Sequence, residues 1–312
     1  MERSEKPLNT YRNFVMDSTR WEKFKARDGD ILVCTPSKCG TTWTQMICAL
    51  LVFQKTSFGK PLSDISPWLD LMAAPVDEVM AQYESQTHRR FIKTHTPFDG
   101  LPYYKNTTYL CVGRDPRDAF LSLQSHFRNI NPEFIGRMMK NMPAGAAPPA
   151  RPQQQSLLDS FRAWITAPGT AGANTQAGPA PDPAMVLNHV KSFWQYRHLP
   201  NIHFVHYSDL QRDLESEMRR IAKILGIGVP EKLWPEFVKA AQFENMKADA
   251  AMYAPDVSLG AWREVGNFFN KGVSGQWREV FGPEELAVYA EAMGKLPPGM
   301  AQWLENGRGA TG

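Results

Sequence analysis

The stretch from Asp30 to Phe53 narrows the fold more than any other. A short apolar run rich in β-branched residues, DILVCT (30–35), gives way to Pro36, Ser37, Lys38, Cys39 and Gly40 and then to a long apolar segment from Thr42 to Phe53. That pattern predicts a buried strand, a tight loop and a helix. At such a junction the first backbone N–H groups of the helix lack partners and the helix dipole is positive, so the loop is a ready anion site. Gly40 lets the backbone approach a ligand, Thr41 and Thr42 add hydroxyl donors, and Lys38 brings a mobile positive charge. A phosphate is the natural guest. The nucleoside-triphosphate loop GxxxxGK[ST] is absent, because here the lysine precedes the glycine. Taken alone, the segment also fits an ordinary capped helix with a solvated lysine.

Three further segments read as buried strands: RFIKT (90–94), TTYLCVG (107–113) and NIHFVHY (201–207). The second runs into Arg114, Asp115 and Pro116, where Asp115 can cap a helix that begins at Pro116 and Asp118 adds a favourable charge in its first turn. Arg114, at the end of a strand, can fork two donors onto a phosphate, and Ser122, two turns into the helix, can add a hydroxyl. A salt bridge from Arg114 to Asp115 or Asp118 is the competing reading. After the last strand, Ser208 to Gln211 has capping-box spacing, and Leu210, Leu214, Met218, Ile221 and Leu225 form one apolar helical face. Strands alternating with helices predict an α/β fold with a central parallel sheet flanked by helices. At 312 residues, length alone leaves one large domain or two smaller ones open.

Between Asn129 and Pro183 the composition shifts to Pro, Ala, Gly and Gln, around a short helix candidate at Ser156 to Ile165. This insert, 129–183, is expected to be a mobile loop or lid, or else a tolerated surface insertion. Phe127, Phe134, Met138 and Met139 near its start favour a lid over an apolar ligand.

The surface carries no strong charge bias, with 35 basic and 32 acidic residues and a net charge of +3. A nucleic-acid partner is therefore not expected, and any anion site must be local. The four cysteines lack the spacing of a zinc site or a secreted disulfide framework, which suits a reducing cytoplasm. No apolar run reaches the roughly 20 residues that span a bilayer, so no integral membrane segment is expected and the chain is read as cytoplasmic.

The motifs, taken in order, resemble one family. TPSKCGTTW (35–43) resembles the TYPKSGTTW segment of cytosolic sulfotransferases, which wraps the 5'-phosphosulfate of 3'-phosphoadenosine 5'-phosphosulfate (PAPS). FKARDGD (24–30) resembles the family's approach to that strand. KTHTP (93–97) is similar to its K-T-H-x-P, RDPRDAFLS (114–122) to its R-N-x-K-D-x-x-x-S, and FVHYSDL (204–210) to its strand ending in a nucleotide-contacting tyrosine. QFENMK (242–247) resembles S-F-x-x-M-K, and FNKGVSGQWR (269–278) resembles R-K-G-x-x-G-D-W-K.

The resemblance covers about Phe24 to Arg278 and implies a single sulfotransferase domain over 1–312 with a P-loop-like phosphosulfate-binding loop. It implies PAPS as donor, PAP (3'-phosphoadenosine 5'-phosphate) as product, no required metal, and a small hydroxyl acceptor, which the aromatic and methionine residues of the insert favour as an apolar one. His95 would be the general base, Lys93 would steady the sulfuryl oxygens, and Lys38 would neutralise the leaving phosphate. The donor would lie on Lys38, Cys39, Gly40, Thr41, Thr42 and Trp43. Its 3'-phosphate would be held by Arg114 and Ser122 together with Asn270, Lys271 and Gly272, and its adenine by Trp43 and Phe243, with Tyr207 reaching the nucleotide. Asn270 stands where the family usually has arginine, so one bidentate phosphate contact is expected to be missing. The family's short dimer motif is not visible between Arg278 and Ala287. Cys39, beside Lys38 at a helix start, either has a lowered thiol pKa and is open to oxidation or alkylation, or is an inert small residue that fits the loop. An ATP-dependent small-molecule kinase and a non-catalytic PAP or PAPS binding module are the rival readings.

Overall fold

Strands β1 (Ile31–Cys34), β2 (Phe91–Thr94), β3 (Thr108–Gly113) and β4 (Ile202–His206) form one parallel sheet in the order β2-β1-β3-β4. The computed structural model describes residues 5–13, 15–140, 156–166 and 184–310. Cys34 pairs in register with Thr94 on one side and Cys111 on the other, and Gly113 pairs with His206. All four strands therefore end along one edge. The chain leaves β1 for β2 on one side and returns across it to β3 on the other. That reversal opens a crevice outside the end of β1, the usual ligand position in open α/β sheets.

Both faces of the sheet are covered, which explains why its strands read as continuous apolar runs. Ile31, Val33, Phe91, Leu110, Val112 and Val205 face one core, built with helices Thr41–Phe53, Leu214–Leu225 and Trp234–Ala241. Leu32, Cys34, Ile92, Tyr109 and Cys111 face the other, with Trp21, Tyr83, Phe98 and Phe193. Each fully buried side chain of this kind contributes about 1.5–3 kcal/mol relative to exposure.

Two local expectations need correction. The face running from Leu210 to Leu225 belongs to two helices, Tyr207–Arg212 and Leu214–Leu225, because Asp213 leaves the helical region (φ −150°, ψ 85°) and its carboxylate accepts from Ser216 N at 3.0 Å. The start of the first helix is capped by His206, whose Nδ1 accepts from Ser208 N at 3.2 Å, and not by a box built on Ser208. Asp115 caps the Pro116–Asn129 helix as expected.

Of the insert, 141–155 and 167–183 lie outside the described residues, and most of the lid expectation falls there. Its described helices pack onto the domain. Leu157–Thr166 buries Phe161 against Phe281 with ring centroids 4.1 Å apart, and Pro132–Lys140 seats Phe134 and Met138 against Ala261. Phe127 and Met139 are exposed.

Candidate active site

The loop after β1 makes its turn with two residues in the left-handed region, Lys38 at φ 66° and Gly40 at φ 102°. A Cβ on Gly40 would come within 3.1 Å of the Tyr207 ring. Gly40 supplies no side-chain cap to the helix that follows, so the amides of Thr41, Thr42 and Trp43 are left to a ligand. The hydroxyls of Thr35 and Thr41 hydrogen-bond across the loop and close it.

Lys38 is only partly exposed; its Nζ lies 3.3 Å from His126 Nδ1 and 4.6 Å above the Phe268 ring. Burial, with the charge of Arg114, lowers its pKa to about 7. An incoming anion would restore the full charge. Burial likewise holds His126 neutral, well below the ordinary histidine range.

Arg114 is buried at the end of β3 and makes neither of the salt bridges that competed for it. Asp115 is taken by Arg117, and Asp118 accepts from Gly275 N at 2.6 Å. Arg114 instead donates to Lys38 O at 3.1 Å and to Val273 O at 3.0 Å, while its Nε is buried with no partner. It stitches the loop after β1 to the segment 269–278, with its guanidinium 4.1 Å from the Tyr207 ring centroid.

Around this stitch the structure collects the remaining predicted donor-site residues. Trp43 meets Tyr207 edge-on at 5.2 Å and donates from Nε1 to Ala241 O at 2.8 Å. Phe243 lies over Gly272, whose φ is 68° and whose Cβ, if present, would fall 2.6 Å from the ring, so only glycine fits. Asn270 donates to Ser125 Oγ at 3.2 Å, Ser122 is buried one turn earlier on the same helix, and Lys271 is exposed. Trp43 and Phe243 share this region, but no contact joins their rings.

Cys39 takes the second of its two readings, an inert residue in the loop, and the lowered pKa is corrected. Its thiol is fully buried with Ala119, Phe120 and Trp303, and burial outweighs Arg114 and Lys38 to push its pKa up to about 12. Only its backbone is left for an anion.

Directly beyond β2, His95 is buried and its Nδ1 donates to the carbonyl of Thr35 at 2.6 Å. A carbonyl can only accept, so Nδ1 carries the hydrogen and Nε2 is left with its lone pair. Burial lowers the His95 pKa to about 4, opposed by the Thr35 bond and helped by Lys93 and Lys38. Trp68 bridges to Lys93 through the backbone; its ring stands edge-on to His95 at 4.6 Å and 4.9 Å from Lys93 Nζ. Burial lowers the pKa of Lys93 as well.

Sequence reasoning passed over several residues here. Trp68 Nε1 and both ring nitrogens of His189 are buried with no partner, and His126 touches Lys38. For His126 a signal existed, since it follows Ser122 by four residues on one helix and so shares its face. Trp68 and His189 sit in segments without a motif. Among the described residues no group of three His, Cys, Asp or Glu side chains is arranged to hold a metal ion.

A family model described as the sulfotransferase domain matches residues 28–303. A glycolipid sulfotransferase of Mycobacterium bovis is 36% identical over 98% of this chain and 97% of its own length. The human Sulfotransferase 1C2 is 25% identical over 83% of this chain and 80% of its own. Among solved structures, retinol dehydratase in complex with androsterone and the inactive cofactor PAP superposes with a TM-score of 0.65 at 21% identity, covering 89% of this chain and 85% of that one. The mouse sulfotransferase SULT7A1 complexed with PAP gives 0.61 at 19% identity, covering 88% and 86%.

Proposed function

The chain belongs to the sulfotransferase family, and from that premise we propose that it moves the sulfuryl group of PAPS onto a hydroxyl of a small acceptor, with His95 as general base. The acceptor oxygen attacks sulfur in line and its proton passes to His95 Nε2. The bond between sulfur and the bridging oxygen of the 5'-phosphate breaks, and its electron pair leaves with PAP. Lys38 and the amides at the helix start take up the charge that grows on that phosphate, and Lys93 faces the sulfuryl oxygens. Arg114, with Ser122 and the 269–273 segment, holds the 3'-phosphate.

The observation that carries the reading is the Nδ1 bond from His95 to the Thr35 carbonyl, which ties the base to the strand whose loop binds the donor. The base and the donor loop then cannot drift apart. Because the mycobacterial relative is a glycolipid sulfotransferase, an acceptor joining a sugar to an apolar chain is the first to try.

The test pairs binding with turnover. PAP should raise the melting temperature more than ATP, since ligands stabilise the state they bind and ATP lacks the 3'-phosphate. With PAPS and octyl β-glucoside, wild-type protein should form the sulfate ester, and His95→Ala should lower kcat by about 10²–10⁴-fold while PAP still binds. Equal protection by ATP with phosphate transfer would establish a kinase instead, and wild-type turnover by His95→Ala would remove the base.

A further inference from the structure

The backbone on either side of His95 is held by a single buried oxygen. Asp70 is fully buried, and its Oδ2 accepts from Thr94 Oγ1 at 2.6 Å, from Thr96 Oγ1 at 2.5 Å and, at 3.4 Å, from Trp21 Nε1. Thr94 Oγ1 in turn accepts from Thr96 N at 2.9 Å, which leaves its own hydrogen for the carboxylate. Thr94, His95 and Thr96 are consecutive, so the imidazole springs from the middle of a short bend whose two feet stand on one carboxylate oxygen. From the side of β1, Thr35 N donates to Thr94 O at 3.1 Å and Thr35 O accepts from His95 Nδ1 at 2.6 Å.

Asp70 is itself fixed. Asp17 N donates to its carbonyl at 2.9 Å, Leu71 N donates to Trp68 O at 3.3 Å, and Arg20 donates to the carbonyls of Leu71 and Ala74. Two residues before it, Trp68 sets its ring edge-on to His95 at 4.6 Å. The segment that carries the carboxylate thus also carries one wall of the imidazole. A carboxylate in such a place is costly. Its Oδ1 is buried with no partner among the described residues, and burial raises its pKa against the bonds from Thr94, Thr96 and Trp21. An apolar side chain of similar size would fill the space at lower cost. What it could not supply is a pair of bonds to the two residues that flank His95.

We propose that Asp70 is a positioning residue for the reaction: by binding the hydroxyls of Thr94 and Thr96 it sets the place and direction of the His95 imidazole, with Nδ1 on Thr35 and Nε2 free for the acceptor proton. Asp70 touches neither donor nor acceptor and acts only through His95. A general base works only within hydrogen-bond reach of the proton it takes, and a displacement of about 1 Å can lower a rate by about 10²-fold. The proposal deepens the sulfuryl-transfer reading above and rests on it, but the hold on the imidazole can be read without turnover.

The experiment joins kinetics with PAPS and octyl β-glucoside to histidine-selective NMR. Asp70→Ala should lower kcat by about 10²-fold while KM and PAP affinity stay near wild type. Asp70→Asn, whose amide oxygen accepts the same bonds less strongly, should keep kcat within about 10-fold of wild type. In the His95→Ala background, Asp70→Ala should cost nothing further, because residues that act as one unit are not additive. By NMR, Asp70→Ala should replace the single Nδ1-protonated form of His95 with a mixture of tautomers, and Asp70→Asn should retain the single form. Melting with PAP checks that the variants are folded; if Asp70→Ala is not, Thr94→Val and Thr96→Val, each of which removes one of the two bonds, take its place in both measurements. Wild-type kcat or an unchanged His95 spectrum in the folded variant, or an equal loss with and without His95, overturns the proposal and leaves sulfuryl transfer standing. Full turnover by His95→Ala overturns both. If octyl β-glucoside is not an acceptor, the NMR comparison decides alone.

Discussion

The His95 imidazole can be watched directly. Its Nδ1 bond to Thr35 and its burial fix the tautomer and lower the pKa from an ordinary 6.5 to about 4. At pH 5 a group with that pKa is about 90% neutral, whereas one left at 6.5 would be about 3% neutral, so the two cases differ about 30-fold in available base. Histidine-selective NMR, assigned with His95→Gln, reads both properties: a neutral ring at pH 5 with its proton on Nδ1. Stability follows the same shift. Between about 4 and 6.5 the unfolded chain binds the proton and the folded chain does not, so unfolding free energy rises with pH in that window. The contribution, about 3 kcal/mol at 1.36 kcal/mol per decade, is present above about pH 6.5 and lost as pH falls toward 4. Saturating PAP should raise the His95 pKa, because its 5'-phosphate offsets Lys38. A ring carrying its hydrogen on Nε2 would refute the assignment of His95 as base, and one mostly protonated at pH 5 in the free protein would refute the effect of burial argued here.

Two further outcomes follow from the donor loop. Lys38→Ala should weaken PAP binding and turnover together, because the charge meets the phosphate before and during transfer; calorimetric PAP affinity equal to that of wild type would exclude Lys38 from the donor site. With Cys39 buried and its pKa pushed up to about 12, iodoacetamide should label it no faster than Cys34, Cys48 or Cys111, all buried thiols; rapid labelling of Cys39 that PAP blocks would show instead an open, thiolate-like loop.

The strands were legible because each is a short apolar run stopped by a polar or turn residue, and a sheet covered on both faces demands that pattern. Lys38 and Arg114 were legible for a related reason, each following the end of a strand, and His95 and Tyr207 only through the motifs' resemblance to a known family; parallel strands in register bring all four ends together. Trp68 and His189 had no such anchor, since their placement depends on how the segments between strands pack. Cys39 shows the limit of local chemistry. Its neighbours in sequence favour a thiolate, but its side chain turns toward Phe120 and Trp303, a direction that only the folded loop decides. Asp213 was misread for a comparable reason: the apolar spacing continues through it, while its carboxylate caps the next helix and breaks the first.

The electrostatics of the site also bear on the order of events. In the free protein, burial holds Lys38 near 7 and His95 near 4, and each lysine charge pushes the imidazole further down. A base that weak is poor at removing a hydroxyl proton, since a general base works best with a pKa nearer the working pH. An anion on the loop after β1 changes both groups in the useful direction. It raises the Lys38 pKa, keeping the ammonium charged where charge is needed, and it offsets the lysine charges that depress His95, strengthening the base. On the proposed reading, seating the donor would strengthen the base that activates the acceptor, by offsetting the Lys93 and Lys38 charges that depress His95. Donor before acceptor is the sequence this coupling favours.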